Sequence, residues 1–113
     1  MNVTITQTEG VDVVHVHEPR LVYALLPTFT EALSPLVARN GPKIVIDLSG
    51  VSYIDSATIG CLMDLYRQTT QTEGMVKLAG VQTRVKTMLT MTGAQNFIEL
   101  HDDESSAVES FRE

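Results

Sequence analysis

The chain has no tryptophan, one cysteine and only 5% aromatic residues in 113 positions. A lone Cys61 excludes an internal disulfide, so stability has to come from packed aliphatic side chains. Basic residues are scarce and scattered: 8 Lys and Arg stand against 14 Asp and Glu, a formal charge of -6. Without a basic run to follow a phosphate backbone, nucleic acid is not an expected partner. No apolar run approaches the roughly 20 residues that cross a bilayer, so direct membrane insertion is not expected either. The start of the chain lacks the basic and apolar regions of a signal peptide, and the expectation is a cytoplasmic protein. Also missing are a Gly-x-Ser-x-Gly elbow, a glycine-rich phosphate loop ending in Gly-Lys-Ser or Gly-Lys-Thr, and a GxGxxG turn. Neither catalysis nor a bound cofactor is therefore expected.

What is present reads as one packed domain spanning residues 1–113. Val3 and Ile5 alternate with Thr4 and Thr6, the period of a strand with one buried face. Glu9-Gly10 supplies a turn and Val11 to His17 is rich in β-branched residues, so the first two strands pair as a hairpin. Pro19 ends the second strand. Leu25, Phe29, Ala32, Leu33, Leu36 and Val37 recur at helical spacing; Pro27 suits the first turn of that helix, and Pro35 predicts a kink or break. After the Asn40-Gly41-Pro42 stop, Ile44, Val45, Ile46 and Leu48 form a nearly continuous apolar run, as in a central strand covered on at least one face, with both faces the preferred reading.

A second helix starting at Ser56 carries Ile59, Leu62, Met63 and Tyr66 on one face; Met75 to Ala79 is the next strand. A third helix buries Val81, Val85, Met88, Leu89 and Thr92 and ends at Gly93. Phe97, Ile98 and Leu100 read as a last strand, and Asp102 or Asp103 caps a final helix with Ala107, Val108 and Phe111. The order β-β-α-β-α-β-α-β-α predicts an α/β domain: an antiparallel hairpin, then a mostly parallel sheet with alternating helices.

Few side chains suggest chemistry. His15 and His17 share a strand face but read as a solvated edge, and no metal site is expected. Cys61 falls early in the second helix, where the helix dipole lowers a thiol pKa; a small buried residue is the preferred reading. Asp47 ends the central strand and is expected to bond the backbone of the following loop. Asp55-Ser56 differs in kind. Ser56 is expected to cap the helix by accepting from the amide of Thr58 or Ile59, and a phosphate added there would meet free amides and the positive end of the dipole. Adding about two negative charges at that corner would change which partner can dock.

These residues carry a resemblance. The run Ile44-Val45-Ile46-Asp47-Leu48-Ser49, then Val51, then Tyr53-Ile54-Asp55-Ser56-Ala57-Thr58-Ile59-Gly60, resembles the signature of the STAS domain as found in anti-sigma-factor antagonists. That signature is an apolar strand ending Asp-Leu-Ser, a short loop, and Asp-Ser-Ser-Gly-Leu-Gly opening a helix. The hairpin, the element order and the Thr92-Gly93-Ala94 turn also fit, so the resemblance covers nearly the whole chain.

The resemblance implies a STAS-like fold in which Ser56 is the phosphoacceptor of an anti-sigma factor that is itself a serine kinase, with Asp55 as acidic neighbour. The unphosphorylated form would bind that anti-sigma factor and free a sigma factor; phosphorylation would break the complex, and a PP2C-type phosphatase would restore it. Ala57 and Thr58 replace the family's second serine and its glycine, which makes Thr58 a second candidate acceptor. Pro19-Arg20-Leu21-Val22 stands in place of Gly-Arg-Leu-Asp. The partner surface implied is Arg20, Leu21, Ser52, Tyr53, Ile54, Asp55, Ala57 and Thr58, with Gly80, Val81, Gln82 and Thr83 beside it. An alternative of another class is an unphosphorylated STAS scaffold subunit of a transporter or stress-sensing complex. The oligomeric state is left open by the sequence, with Val11 to Val16 and an open sheet face as the features that could support self-association.

Overall fold

A computed structural model describes residues 1–112. The hairpin forms as expected: β1 (Val3–Thr8) and β2 (Val11–Val16) run antiparallel, with Val3 opposite Val16 and Thr8 opposite Val11. Its turn places Glu9 and Gly10 both at positive φ, 52° and 80°. Two such residues match the right-handed twist of the flanking strands, and glycine takes the second without steric penalty.

Beyond the hairpin the sheet is parallel. β4 (Lys43–Asp47) lies beside β2, β6 (Met75–Ala79) beside β4, and β7 (Leu100–His101) beside β6, giving the order β1-β2-β4-β6-β7. β3 (Arg20–Leu21) and β5 (Tyr53–Ile54) form a separate two-stranded parallel pair. Elements of two residues are too short to show any periodicity, so sequence patterning could not find them.

β4 explains the continuous apolar run. Ile44 and Ile46 face a large core with α1 (Leu26–Val37), α2 (Ser56–Gln71) and α3 (Thr83–Thr92), where Phe29, Leu33, Leu62, Val85 and Leu89 are buried. Val45 faces the opposite side and packs with Val11, Val13 and Ala79 under Ala107 and Val108 of α4 (Glu104–Glu109). Both faces of the central strands are thus covered, so Val11 and Val13 offer no open surface for self-association. Lys77 is buried on the α4 side, where its amine donates to Ser110 Oγ (2.7 Å), pairs with Glu99 (3.3 Å) and lies over the Phe111 ring. Such partners offset the desolvation of a buried ammonium.

Three local expectations change. β1 has no buried face beyond half-buried Val3, and Ile5 is 40% exposed, because the hairpin's outer strand is the sheet edge and packs under neither helical layer. Pro35 does not break α1, which continues to Val37. A proline in the last turn forfeits a single backbone bond, and the Ala38 amide still reaches the Ser34 carbonyl. The last strand is limited to Leu100–His101, because Ala94–Asn96 form a 3-10 turn that leaves Phe97 outside, against Tyr66. Thr92, placed in the buried stripe of α3 from sequence, is exposed.

Gly80 turns the chain from β6 toward α3 at φ 67°, and a Cβ there would lie 2.9 Å from Ser49 Cβ. Gly80→Ala is expected to destabilise the fold by more than about 1 kcal/mol, read as a lower urea midpoint at unchanged slope.

Candidate functional site

The loops at the carboxyl ends of β4 and β6 converge on the start of α2. Asp47 ends β4 and accepts the Ser49 amide through Oδ1 (2.8 Å), the loop contact expected from sequence. The Gln82 side-chain amide donates to the Ser49 carbonyl (2.8 Å), tying the loop before α3 to the loop after β4. Ser52 donates its amide (2.8 Å) and hydroxyl (3.0 Å) to the Pro19 carbonyl, which aligns β5 beside β3.

The cap of α2 is Asp55, not Ser56. Asp55 is in extended conformation (φ -107°, ψ 177°), and its Oδ1 accepts from the Thr58 amide at 2.9 Å. A carboxylate satisfies the third amide of the helix and complements its dipole, so it displaces the serine one place into the first turn. The other oxygen, Oδ2, accepts the Tyr23 amide (2.9 Å) in the turn that follows β3. Partial burial pushes the Asp55 pKa up, but the bonds from Tyr23 and from the Thr58 hydroxyl and amide outweigh it and hold the carboxyl below its ordinary value.

Thr58 is fully buried, with its hydroxyl 2.8 Å from both the Leu21 carbonyl and Asp55 Oδ1, so that one proton serves two acceptors. As a second phosphoacceptor it is therefore ruled out in the folded chain, since phosphorylation would have to extract it from the core. Leu21 and Ile54 are likewise fully buried, so neither side chain can touch a partner, and Thr58 drops from the contact surface for the same reason.

Ser56, freed from capping, is exposed, and among the described residues its hydroxyl makes no hydrogen bond. It is the first residue of α2, where the amides of Ser56 and Ala57 have no carbonyl one turn back within the helix. Arg20, Ser52, Gln82 and Thr83 are exposed around it in the converging loops, while Tyr53, Asp55, Ala57, Gly80 and Val81 are half-buried.

One member of this surface escaped the sequence reading. The Tyr53 ring carries two guanidiniums, Arg20 at 4.5 Å and Arg84 at 5.4 Å from its centroid. Arg84 lies 31 positions after Tyr53, and its only sequence signal was an outward place in the first turn of α3. The pair is a local basic spot on an acidic chain, with arginine stems stacked on an aromatic face.

Cys61 is half-buried in α2, and burial, with the Asp64 charge, pushes its thiol up rather than down. It lines an open groove of about 1080 Å³ between α1 and α2, together with Tyr23, Pro27, Ala57, Gly60 and Asp64. The His15–His17 pair is no strand edge: β2 runs between β1 and β4, and the two rings stack 6.2 Å apart. No helix is long and apolar enough to cross a membrane among the described residues.

Comparison with known proteins agrees with the architecture. Residues 2–107 match the family described as STAS domain. The chain is 30% identical over 78 residues to the anti-sigma-B factor antagonist of Listeria monocytogenes, covering 69% of this chain and 68% of that one. It is 29% identical over 100 residues to the anti-sigma-B factor antagonist of Bacillus subtilis, covering 88% and 90%. The solved anti-sigma-factor antagonist (STAS) domain protein of Planctomyces limnophilus superposes with a TM-score of 0.90 at 17% identity, over 98% of each chain. The phosphorylated form of the Bacillus cell fate determinant SpoIIAA superposes with a TM-score of 0.71 at 14% identity, over 97% of this chain and 99% of that one.

Replacing the cap tests the geometry at the start of α2. Asp55→Ala is expected to lower stability by about 1–2 kcal/mol at neutral pH. Because the folded pKa is depressed, the carboxylate stabilises the fold above its unfolded pKa of about 3.9 and loses that effect as pH falls through the folded value. The gap between native and variant urea midpoints should therefore narrow below about pH 4.

Proposed function

From the chain's membership of the STAS domain family, which residues 2–107 establish, we propose that it acts as an anti-sigma-factor antagonist switched at Ser56. Unphosphorylated, it binds an anti-sigma factor and so releases a sigma factor in the cytoplasm. The anti-sigma factor doubles as the serine kinase that phosphorylates Ser56, and a PP2C-type phosphatase reverses the modification. The curated relatives bear the name of antagonists of a regulator, not of enzymes, and the proposal asks for no catalysis by this chain.

The observation that carries the proposal is the exposure of Ser56 beside a cap it does not supply. Because Asp55 does the capping, the serine hydroxyl can enter a kinase active site without unwinding α2. A phosphate attached there would face two free amides and the positive end of the helix dipole, which makes the modified state compatible with the same fold. The change falls on the surface: roughly two added negative charges beside Asp55 oppose any partner that buries this corner. The solved phosphorylated form of a protein sharing the fold supports such compatibility.

Contacts with the anti-sigma factor are assigned to the exposed and half-buried members of the predicted set: Arg20, Ser52, Tyr53, Asp55, Ala57, Gly80, Val81, Gln82 and Thr83, with Arg84 added. The test pairs the chain with the anti-sigma factor kinase of its own genome. Incubation with ATP is expected to add the mass of one phosphate to the native chain and none to Ser56→Ala. The phosphorylated chain should bind the partner at least about tenfold more weakly, equivalent to roughly 1.4 kcal/mol. Unchanged mass with binding retained would instead favour the constitutive scaffold reading.

A further inference from the structure

Away from Ser56, on the sheet face covered by α4, His15, Asp47 and Glu104 bring one ligand atom each within 4.8 Å of one another. The geometry points to a zinc-binding site made of His15 Nδ1, Asp47 Oδ2 and Glu104 Oε2. These residues come from β2, β4 and the first turn of α4, so the cluster is built by the fold rather than by a local run of acidic residues. His15 and Asp47 are direct partners in the parallel register, and both point to the α4 side, with Val13 and Val45.

The spacing of Nδ1 from the two carboxylate oxygens is compatible with a shared metal ion. The imidazole Nδ1 is 3.6 Å from Asp47 Oδ2 and 3.6 Å from Glu104 Oε2. A proton on Nδ1 would be too far from either oxygen for a good hydrogen bond, which spans about 2.7–3.2 Å. Ligands held about 2.0–2.2 Å from a tetrahedral zinc ion, however, lie roughly 3.3–3.6 Å apart by simple geometry. The remaining atoms are already oriented. His15 Nε2 lies 3.4 Å from Thr6 Oγ1, and with the proton on Nε2 the Nδ1 lone pair would be directed at the carboxylates. Asp47 is held from its other oxygen by the Ser49 amide, which leaves Oδ2 for the cluster.

All three residues are half-buried, with side-chain exposures of 24%, 15% and 35%, which leaves access for an ion and a fourth, water ligand. One imidazole with two carboxylates suits zinc, whereas magnesium demands an octahedral oxygen set and gains little from a nitrogen donor. A bound ion would tie the first turn of α4 to the two strands beneath it.

The experiment uses the whole chain, stripped with EDTA and dialysed, and titrated with zinc chloride in a buffer that does not chelate. Calorimetry is expected to give one zinc per chain and a raised melting temperature, with His15→Gln and Glu104→Gln each weakening binding at least about tenfold. Side-chain NMR of the unsubstituted chain provides a readout that does not depend on the variants folding. Zinc should move the imidazole nitrogens of His15 and leave His101 in place. Absence of binding at about 100 μM zinc, equal binding by both variants, equal binding of magnesium, or a response centred on His101 would each overturn the assignment.

Discussion

The carboxylate of Asp55 is the constraint on which the functional corner depends. One oxygen closes the first turn of α2 on the Thr58 amide; the other holds the Tyr23 amide just beyond β3. Thr58 extends the same joint into the core, reaching the Leu21 carbonyl. The entry of the helix and the short β3–β5 pair are in this way fastened to one another by a few polar contacts over a fully buried floor of Leu21 and Ile54. The buried Thr58 hydroxyl and the half-buried Asp55 carboxylate are tolerable there because each has partners, and no buried side-chain polar atom is left unsatisfied among the described residues.

That joint separates what holds the fold from what meets other molecules. Thr58, Leu21 and Ile54 belong to the framework, half-buried Asp55 joins the framework to the surface, and Ser56 is left on the outside with nothing structural to do. Charge placed on Ser56 therefore acts on the surface, which also carries Tyr53 with its two guanidiniums. An acidic chain with a basic spot beside a chargeable serine can alter its affinity for a partner through local electrostatics alone. Nothing in the arrangement requires the sheet to move.

Much of this was legible from the residues, for reasons that can be named. The hairpin followed from β-branched runs around Glu9-Gly10, and the two-faced burial of β4 followed from its unbroken apolar run. The Asp103 cap of α4 is visible in the same way, with its carboxylate on the Ser106 amide. At the start of α2 the misassignment concerns which of two adjacent polar residues does a job. Asp55 and Ser56 are both good capping residues, and only the reach of Asp55 to Tyr23, 32 positions earlier, decides between them. Thr58 reads as an exposed hydroxyl on a helix start until Leu21 is placed over it. Arg84 and the His15–Asp47–Glu104 cluster depend on register between distant strands and helices, which local pattern does not encode.

The central claim is that Ser56 carries charge without disturbing the framework beneath it. Its most direct test is to install phosphoserine at position 56 during synthesis, independently of any kinase, and to compare amide NMR spectra and unfolding midpoints with those of the unmodified chain. Shifts are expected only in the first turn of α2 and in the neighbouring loops around Ser52, Tyr53 and Gln82, with a midpoint unchanged or slightly raised by the helix dipole. Shifts spread through β2, β4 and β6, or a loss of several kcal/mol in stability, would contradict that claim.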